Sequence, residues 1–295
     1  MELRNLQTLV AVVREGGFSA AAKVLHTTQP TVSKSIQQLE YDCKAILLDR
    51  KAAVLRLTDA GEIVYRRALA ILAEREHLQD DLSELKGVRR GRLRLGLPWL
   101  GSSILFAPIV AAYRKKYPGI EIDLRENGSR ELEGAVRAGE IEVGASLRPI
   151  PSDFATQTVC DEPMMAVLPE NHALAGRASV RLEELASSPF VLFEQSFVLN
   201  TLILEACAQS KFKPQVTARS RQTDFILGLV AAGLGVGLLP QLVVRARKLP
   251  SVKVVELVGT DLRWRLDFIW RKEAELSKAA QCWLELAEEK NKDRR

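Results

Sequence analysis

Along the first ninety residues the apolar positions recur at helical spacing. Leu3, Leu6, Leu9, Val10 and Val13 follow one another at intervals of three and four, a single stripe that Gly16 and Gly17 end. Ser19 reads as the N-cap of a short helix whose Ala20, Ala21 and Ala22 give a face small enough for close packing. His26 and Thr27 form a tight turn. Thr28 can cap the next helix, and Pro30 sits in its first turn, where a missing N–H leaves no bond unmade. The pattern runs to about Glu40.

On this third helix Val32, Ile36 and Leu39 share one face, while Pro30, Thr31, Lys34, Gln37 and Gln38 fall on the other. The outer face is polar yet nearly uncharged. Its amides, hydroxyls and single lysine can read base edges and hold phosphates, and the helix N-terminus adds free N–H groups. A helix, a short turn and a helix of this polarity suit the major groove of duplex DNA. Periodicity by itself favours the plainer reading, a solvated helix in a small bundle.

Residues 54–58 have the pattern of a short wing strand, and Thr58 can cap a long helix running to about Lys86. Within it Val64, Ile71, Leu78 and Leu85 recur every seven residues, with Ala68, Arg75 and Leu82 four residues after the first three. That is a seam for a second chain. The competing reading is a helix packed on its own domain. Residues 87–91 form a basic hinge with Arg89 and Arg90 between glycines.

Beyond the hinge short strands alternate with helices: a strand at 92–96, a helix from Ser102 through Lys116, a strand at 120–124, a helix at 130–138 and a strand at 141–144. This order predicts a parallel, doubly wound sheet. A buried strand at 164–169 then leads into further strands at 190–193 and 216–218, a helix at 200–210 and another opened by Thr223. After the glycine turn at 231–237 come a strand at 263–270 and a closing helix at 273–289. The chain builds a second sheet and returns to the first, so two α/β lobes with two crossing segments enclose a cleft.

Composition narrows the function. A chain of 295 residues with 47% hydrophobic residues and net charge +5 fits two globular domains. No apolar run approaches the ~20 residues of a bilayer span, and Met1–Asn5 lacks the build of a secretory signal, so no membrane contact and a cytoplasmic location are expected. Residues 1–57 hold eight Lys/Arg against five Asp/Glu, a mildly basic balance that permits nucleic-acid binding. Cys43, Cys160, Cys207 and Cys282 are far apart, and His26, His77 and His172 form no ligand spacing, so no metal and no cofactor are expected. There is no phosphate-loop motif and no nucleophile elbow, which argues against an enzyme.

The stretch Phe18-Ser19-Ala20-Ala21-Ala22 to Leu25, then Gln29-Pro30-Thr31-Val32-Ser33-Lys34-Ser35-Ile36 with Leu39-Glu40, resembles the helix-turn-helix of the LysR-type transcriptional regulators. Leu47-Leu48-Asp49-Arg50, Leu57-Thr58-Asp59-Ala60-Gly61 and the run Val230 to Pro240 extend the resemblance over essentially the whole chain. Three features depart from the family pattern. Lys44 replaces a glycine, Leu48 replaces an aromatic, and Ala53 and Val54 stand at wing positions that are often basic.

The resemblance implies an α+β multidomain protein: a winged helix-turn-helix over 1–58, a linker and dimerisation helix with hinge over 59–90, and a two-lobed, periplasmic-binding-protein-like effector domain over 91–295. Lobe I is expected at about 91–160 and 266–295, and lobe II at about 161–265. The DNA-binding residues would be Ser19, Thr28, Gln29, Pro30, Thr31, Ser33, Lys34, Gln37, Arg50 and Arg56. The partners would be double-stranded DNA, a small-molecule effector and further copies of the chain, paired through the linker helix and assembled as a homotetramer. The expected effector-binding residues are Ser102, Ser103 and Ser129 at predicted helix N-termini, Asn200 and Thr223, which matching the family's pocket positions adds through the segment Gln195 to Asn200 and the second lobe, and the apolar Trp99 and Phe197 nearby in sequence.

Residue chemistry supports the pocket. Ser102, Ser103 and Ser129 stand at predicted helix N-termini, where hydroxyl and N–H groups can converge on an anion, and Trp99, Leu105, Phe197 and Leu199 supply apolar surface. A carboxylate on an apolar body fits both, although each serine also reads as a helix cap only. Cys160 or Cys207 could instead serve a thiol sensor, if an electropositive neighbour activated it.

Overall fold

Leu6, Leu9 and Val12 carry the buried stripe of α1 (Leu3–Arg14), and they close on Ala21 and Ala22 of α2 (Phe18–Val24) and on Val32, Ile36 and Leu39 of α3 (Gln29–Cys43). The structure, a computed structural model, describes residues 1–49, 55–84, 91–247 and 251–292. It divides into two compact units, 1–91 with 138–140, and 92–137 with 141–295.

In the first unit α2 starts two residues earlier than expected. Gly17 holds the N-cap position in extended backbone, and Ser19 makes no capping bond; it lies exposed in the first turn. Thr28 does cap α3, its Oγ1 accepting from the N–H of Thr31 at 3.4 Å, with Pro30 in the first turn. The helix runs past Glu40 to Cys43 and ends on Lys44 in the left-handed conformation, φ 51°. The Glu40 carboxylate accepts the N–H of Leu47 at 2.9 Å and so fixes the chain entering β1 (Leu48–Asp49). This strand pairs antiparallel with β2 (Arg56–Leu57), the part of the expected wing that is described; Val54 lies outside the described residues.

Thr58 Oγ1 accepts the N–H of Gly61 at 3.0 Å and donates to the Ile46 carbonyl at 2.7 Å, which locks the start of α4 (Asp59–Glu84) onto the end of α3. A Cβ on Gly61 would stand 2.0 Å from the Leu47 carbonyl oxygen, so only glycine fits there. The two readings of α4 divide along its length. Its near half packs on its own unit through Tyr65, Ala68 and Leu69, and Ala68 is wholly buried in that core, not left for a partner chain. Farther along, Ile71, Leu78 and Leu82 stay exposed within this unit. Leu85 and the residues 87–90 of the expected hinge lie outside the described residues.

The second unit begins within β3 (Gly91–Pro98), at Arg92. Where one helix was expected there are two, α5 (Ser102–Leu105) and α6 (Ala107–Lys116), because Pro108 has no N–H for the carbonyl of Ile104. Next come β4 (Ile120–Asn127), α7 (Ser129–Ala138) and β5 (Val143–Leu147). The strand expected at 141–144 begins two residues later, although the Glu142 N–H already bonds the Arg94 carbonyl of β3 at 2.9 Å; the Glu142 carboxylate accepts the N–H of Ser277 at 2.5 Å and its hydroxyl at 2.9 Å.

Then β6 (Phe154–Pro169) runs through both lobes, followed by β7 (Ser179–Arg181), a 3-10 turn, β8 (Pro189–Phe193), α8 (Val198–Gln209), β9 (Gln215–Ser220) and α9 (Thr223–Ala231). The chain continues through β10 (Gly237–Pro240), α10 (Gln241–Arg245) and β11 (Val252–Val258), and returns on β12 (Arg263–Arg271) to the closing α11 (Lys278–Lys292).

The main sheet has the order β4-β3-β5-β12-β6-β11-β7, with β10 also paired to β6. It is mixed rather than parallel. β3 and β5 are parallel, but β12 is antiparallel to both β5 and β6, since it brings the chain back from the second lobe. β6 pairs with β12 along Phe154 to Pro163 and, over its last six residues, with β10 and β11, so one strand serves both lobes. Alternation along β12 buries Trp264, Leu266 and Phe268, and Trp283 of α11 packs on Phe268 and on Tyr113.

Candidate functional site

Two surfaces carry the predicted chemistry, one on each unit. On the first, α3 buries Val32, Ile36 and Leu39 and leaves Gln29, Pro30, Thr31, Lys34 and Gln37 exposed beside the exposed cap Thr28; Ser33 is half-buried. The Thr28 and Thr31 hydroxyls lie 2.9 Å apart, so the cap and the first turn form one hydroxyl pair at the helix entrance. Gln38 turns away to donate to Asp42 at 2.9 Å, which leaves Gln37 as the outward amide of that turn. The Gln38 bond and the Met1 ammonium, 3.0 Å from Asp42, hold the Asp42 carboxyl below its ordinary pKa. Its charge is thus matched locally. Ser19 on α2 and Arg56 on β2 are exposed; Arg50 lies outside the described residues.

On the second unit a cavity between the lobes is walled by Trp99 and Leu100 after β3, Asn127 to Ser129 at the start of α7, Leu147, the segment Phe197 to Leu199, and Trp264 and Leu266 of β12. Its free volume is about 20 Å³. Side chains fill it. Trp99 and Phe197 lie with centroids 5.6 Å apart, and Phe197 stacks on Phe193 at 5.1 Å. Arg221, paired with Glu194 at 2.7 Å, sits 6.0 Å from the Trp99 ring. The turn carrying Trp99 needs Gly101 at φ +83°, where a Cβ would approach Trp264 to 2.6 Å.

Of the residues selected from sequence, Trp99, Ser129 and Phe197 come together in this wall. Ser129 Oγ accepts the N–H of Leu147 at 3.3 Å, which leaves its own proton for an acceptor in the cavity. The other four do not line it. The Ser102 hydroxyl donates to the Pro98 carbonyl, and Ser103 is exposed. Both open a helix of four residues, too short to focus the dipole expected of a longer one. Asn200 is buried behind the wall, its Oδ1 taken by Arg219 at 3.0 Å, and Thr223 opens α9 away from the lining.

Asn127, Leu147, Trp264 and Leu266 were missed. Trp264 and Leu266 alternate on β12, but only the sheet order shows that this face meets the cleft. Among the described residues no group of three His, Cys, Asp or Glu could hold a metal ion. Burial pushes the Cys207 thiol up to about 11, which keeps it protonated and unreactive.

Residues 3–62 match the model of the bacterial regulatory helix-turn-helix protein, lysR family, and residues 86–292 match the LysR substrate binding domain. The chain belongs to the LysR family: it is a DNA-binding transcriptional regulator with an effector-binding domain. It is 35% identical to the uncharacterized HTH-type transcriptional regulator YwbI of Bacillus subtilis, over 97% of this chain and 95% of that one. Among solved structures it resembles a full-length OxyR variant from Pseudomonas aeruginosa, with 24% identity, a TM-score of 0.79 and coverage of 98% of this chain and 94% of that one. Full-length BenM matches with 26% identity and a TM-score of 0.64, over 100% of this chain and 98% of that chain. Among the described residues no helix is long and apolar enough to cross a membrane.

Proposed function

We propose that α3 enters the major groove of duplex DNA, reading base edges with Gln29, Thr31, Ser33 and Gln37 while Thr28, Lys34, Ser19, Arg50 and Arg56 hold the backbone. The observation that carries this is the exposed polar face of α3 set over a wholly buried apolar one. The division of labour follows the sequence: a reader over 1–58, a linker and hinge over 59–90, and a sensor over 91–295. The exposed line Ile71, Leu78 and Leu82 pairs two linker helices, and two such dimers form a homotetramer that works in the cytoplasm.

The effector of this reading is a small carboxylate with an apolar body, held in the cleft. Ser129 supplies a hydroxyl donor, and Trp99 and Phe197 supply the apolar walls. A cavity of about 20 Å³ cannot admit such a molecule, so binding must part Trp99 from Phe197, and that opening is the signal passed to the DNA-binding arms.

A salt-titrated gel shift tests the DNA half. Lys34→Ala should weaken binding and lower the slope of log K against log salt by about one. An unchanged titration would remove α3 from the interface.

A further inference from the structure

Strand β12 has a second face. Trp264 and Leu266 point into the cleft, and the alternate residues Arg263 and Arg265 line a separate cavity of about 420 Å³. Its other walls are Arg148 and Pro149 after β5, Leu262, and Leu202, Glu205 and Ala206 on α8. It therefore touches both lobes. Its volume falls in the range of small-molecule sites, whereas the cleft is filled by side chains.

The three guanidinium groups are held by carboxylates. Asp267, 3% exposed, accepts Arg148 Nε at 2.8 Å and Nη2 at 3.0 Å, while Nη2 also reaches Thr158 at 2.9 Å. Asp161 accepts Arg263 Nε at 2.5 Å and, through its carbonyl, Nη2 at 3.0 Å. Arg265 Nη2 reaches Asp261 at 3.2 Å. These bonds engage Nε and Nη2, and the Nη1 groups of all three have no protein acceptor among the described residues. Glu205 is exposed on α8 and has no cationic partner among the described residues.

Both signs of charge thus border one space. A simple anion would satisfy the guanidinium groups but face Glu205 and Asp261; a simple cation would leave the Nη1 donors unused. We propose that this cavity binds a small zwitterion of the α-amino acid class. Its carboxylate bonds Arg263 and Arg265, its ammonium meets Glu205, and its side chain lies on Leu202, Ala206 and Leu262. The occupant bridges β12 and α8, so the site offers a second input to the relative position of the lobes, independent of the cleft.

The test is a thermal-shift screen of the full chain against the standard L-amino acids, followed by calorimetric titration of the strongest hit. At least one amino acid should raise Tm. Arg265→Gln and Glu205→Gln, both at solvent-accessible positions, should each weaken its binding by about tenfold or more while the unliganded Tm stays near that of the parent. The same amino acid without its ammonium, or without its carboxylate, should lose binding to a similar extent, and Ser129→Ala in the cleft should leave it unchanged. No shift with any amino acid would overturn the proposal, as would binding that survives both substitutions. Equal binding of the des-amino analogue would make this a plain anion site, and loss in Ser129→Ala would assign the ligand to the cleft; either result refutes the zwitterion site.

Discussion

Trp99 and Phe197 face each other with ring centroids 5.6 Å apart, and Phe193 backs Phe197 at 5.1 Å. The ring of Phe197 therefore occupies the space in which the proposed effector would lie. Phe197→Ala should destabilise the chain by about 3 kcal/mol in urea unfolding, through lost burial and the cavity left behind. A small apolar aromatic such as toluene should restore part of the Tm of this variant and leave the parent unaffected, as an apolar cavity of that size binds such probes. Parent-like stability in the variant would mean that the ring does not fill the cleft.

Lys44 ends α3 at φ 51°, where a side chain crowds the following carbonyl. Lys44→Gly should raise stability by about 1 kcal/mol, read as a higher denaturation midpoint at unchanged m-value. The opposite holds at Gly61, where a methyl group would meet the Leu47 carbonyl. Gly61→Ala should lower stability by about 1–3 kcal/mol and weaken DNA binding with it, because α4 could no longer dock beside Thr58.

The contrast between these two positions shows what the sequence reveals. Helical periodicity placed α1, α3 and α4, and cap chemistry placed Thr28, because local spacing and local bonds decide them. Ser19 failed as a cap because Gly17, in extended backbone, opens the helix first. The mixed sheet was invisible for a different reason: whether β12 runs parallel or antiparallel to β5 depends on which lobe the chain returns from. The cleft was legible where a motif supplied the residue, as with Ser129, and illegible at Leu147 and Leu266, which meet only through that pairing. Ser102 had the right composition for a helix N-terminus, yet Pro108 shortened the helix and the Pro98 carbonyl took the hydroxyl.

His172 gives the fold an acid-sensitive point. Its Nδ1 accepts the N–H of Leu174 at 3.2 Å, its Nε2 lies 3.0 Å from Ser188 Oγ, and burial holds its pKa below the ordinary 6.5. Above that value the ring is neutral in both folded and unfolded chains and contributes no pH dependence. As pH falls below it, the unfolded chain binds a proton that the folded chain resists, so stability declines until the folded pKa is reached. Denaturation midpoints from pH 7.5 down to 5 should fall less steeply in His172→Gln than in the parent. Parallel curves would show that the ring protonates freely in place.

The central claim is that the exposed face of α3 reads duplex sequence, and selection from a random-sequence duplex library by the full-length chain tests it most directly. The parent should enrich one recurrent motif. A chain carrying Gln29→Ala and Ser33→Ala should lose that motif while still holding DNA weakly through its phosphate contacts. Enrichment of the same motif by the substituted chain, or no enrichment by the parent, would contradict the account.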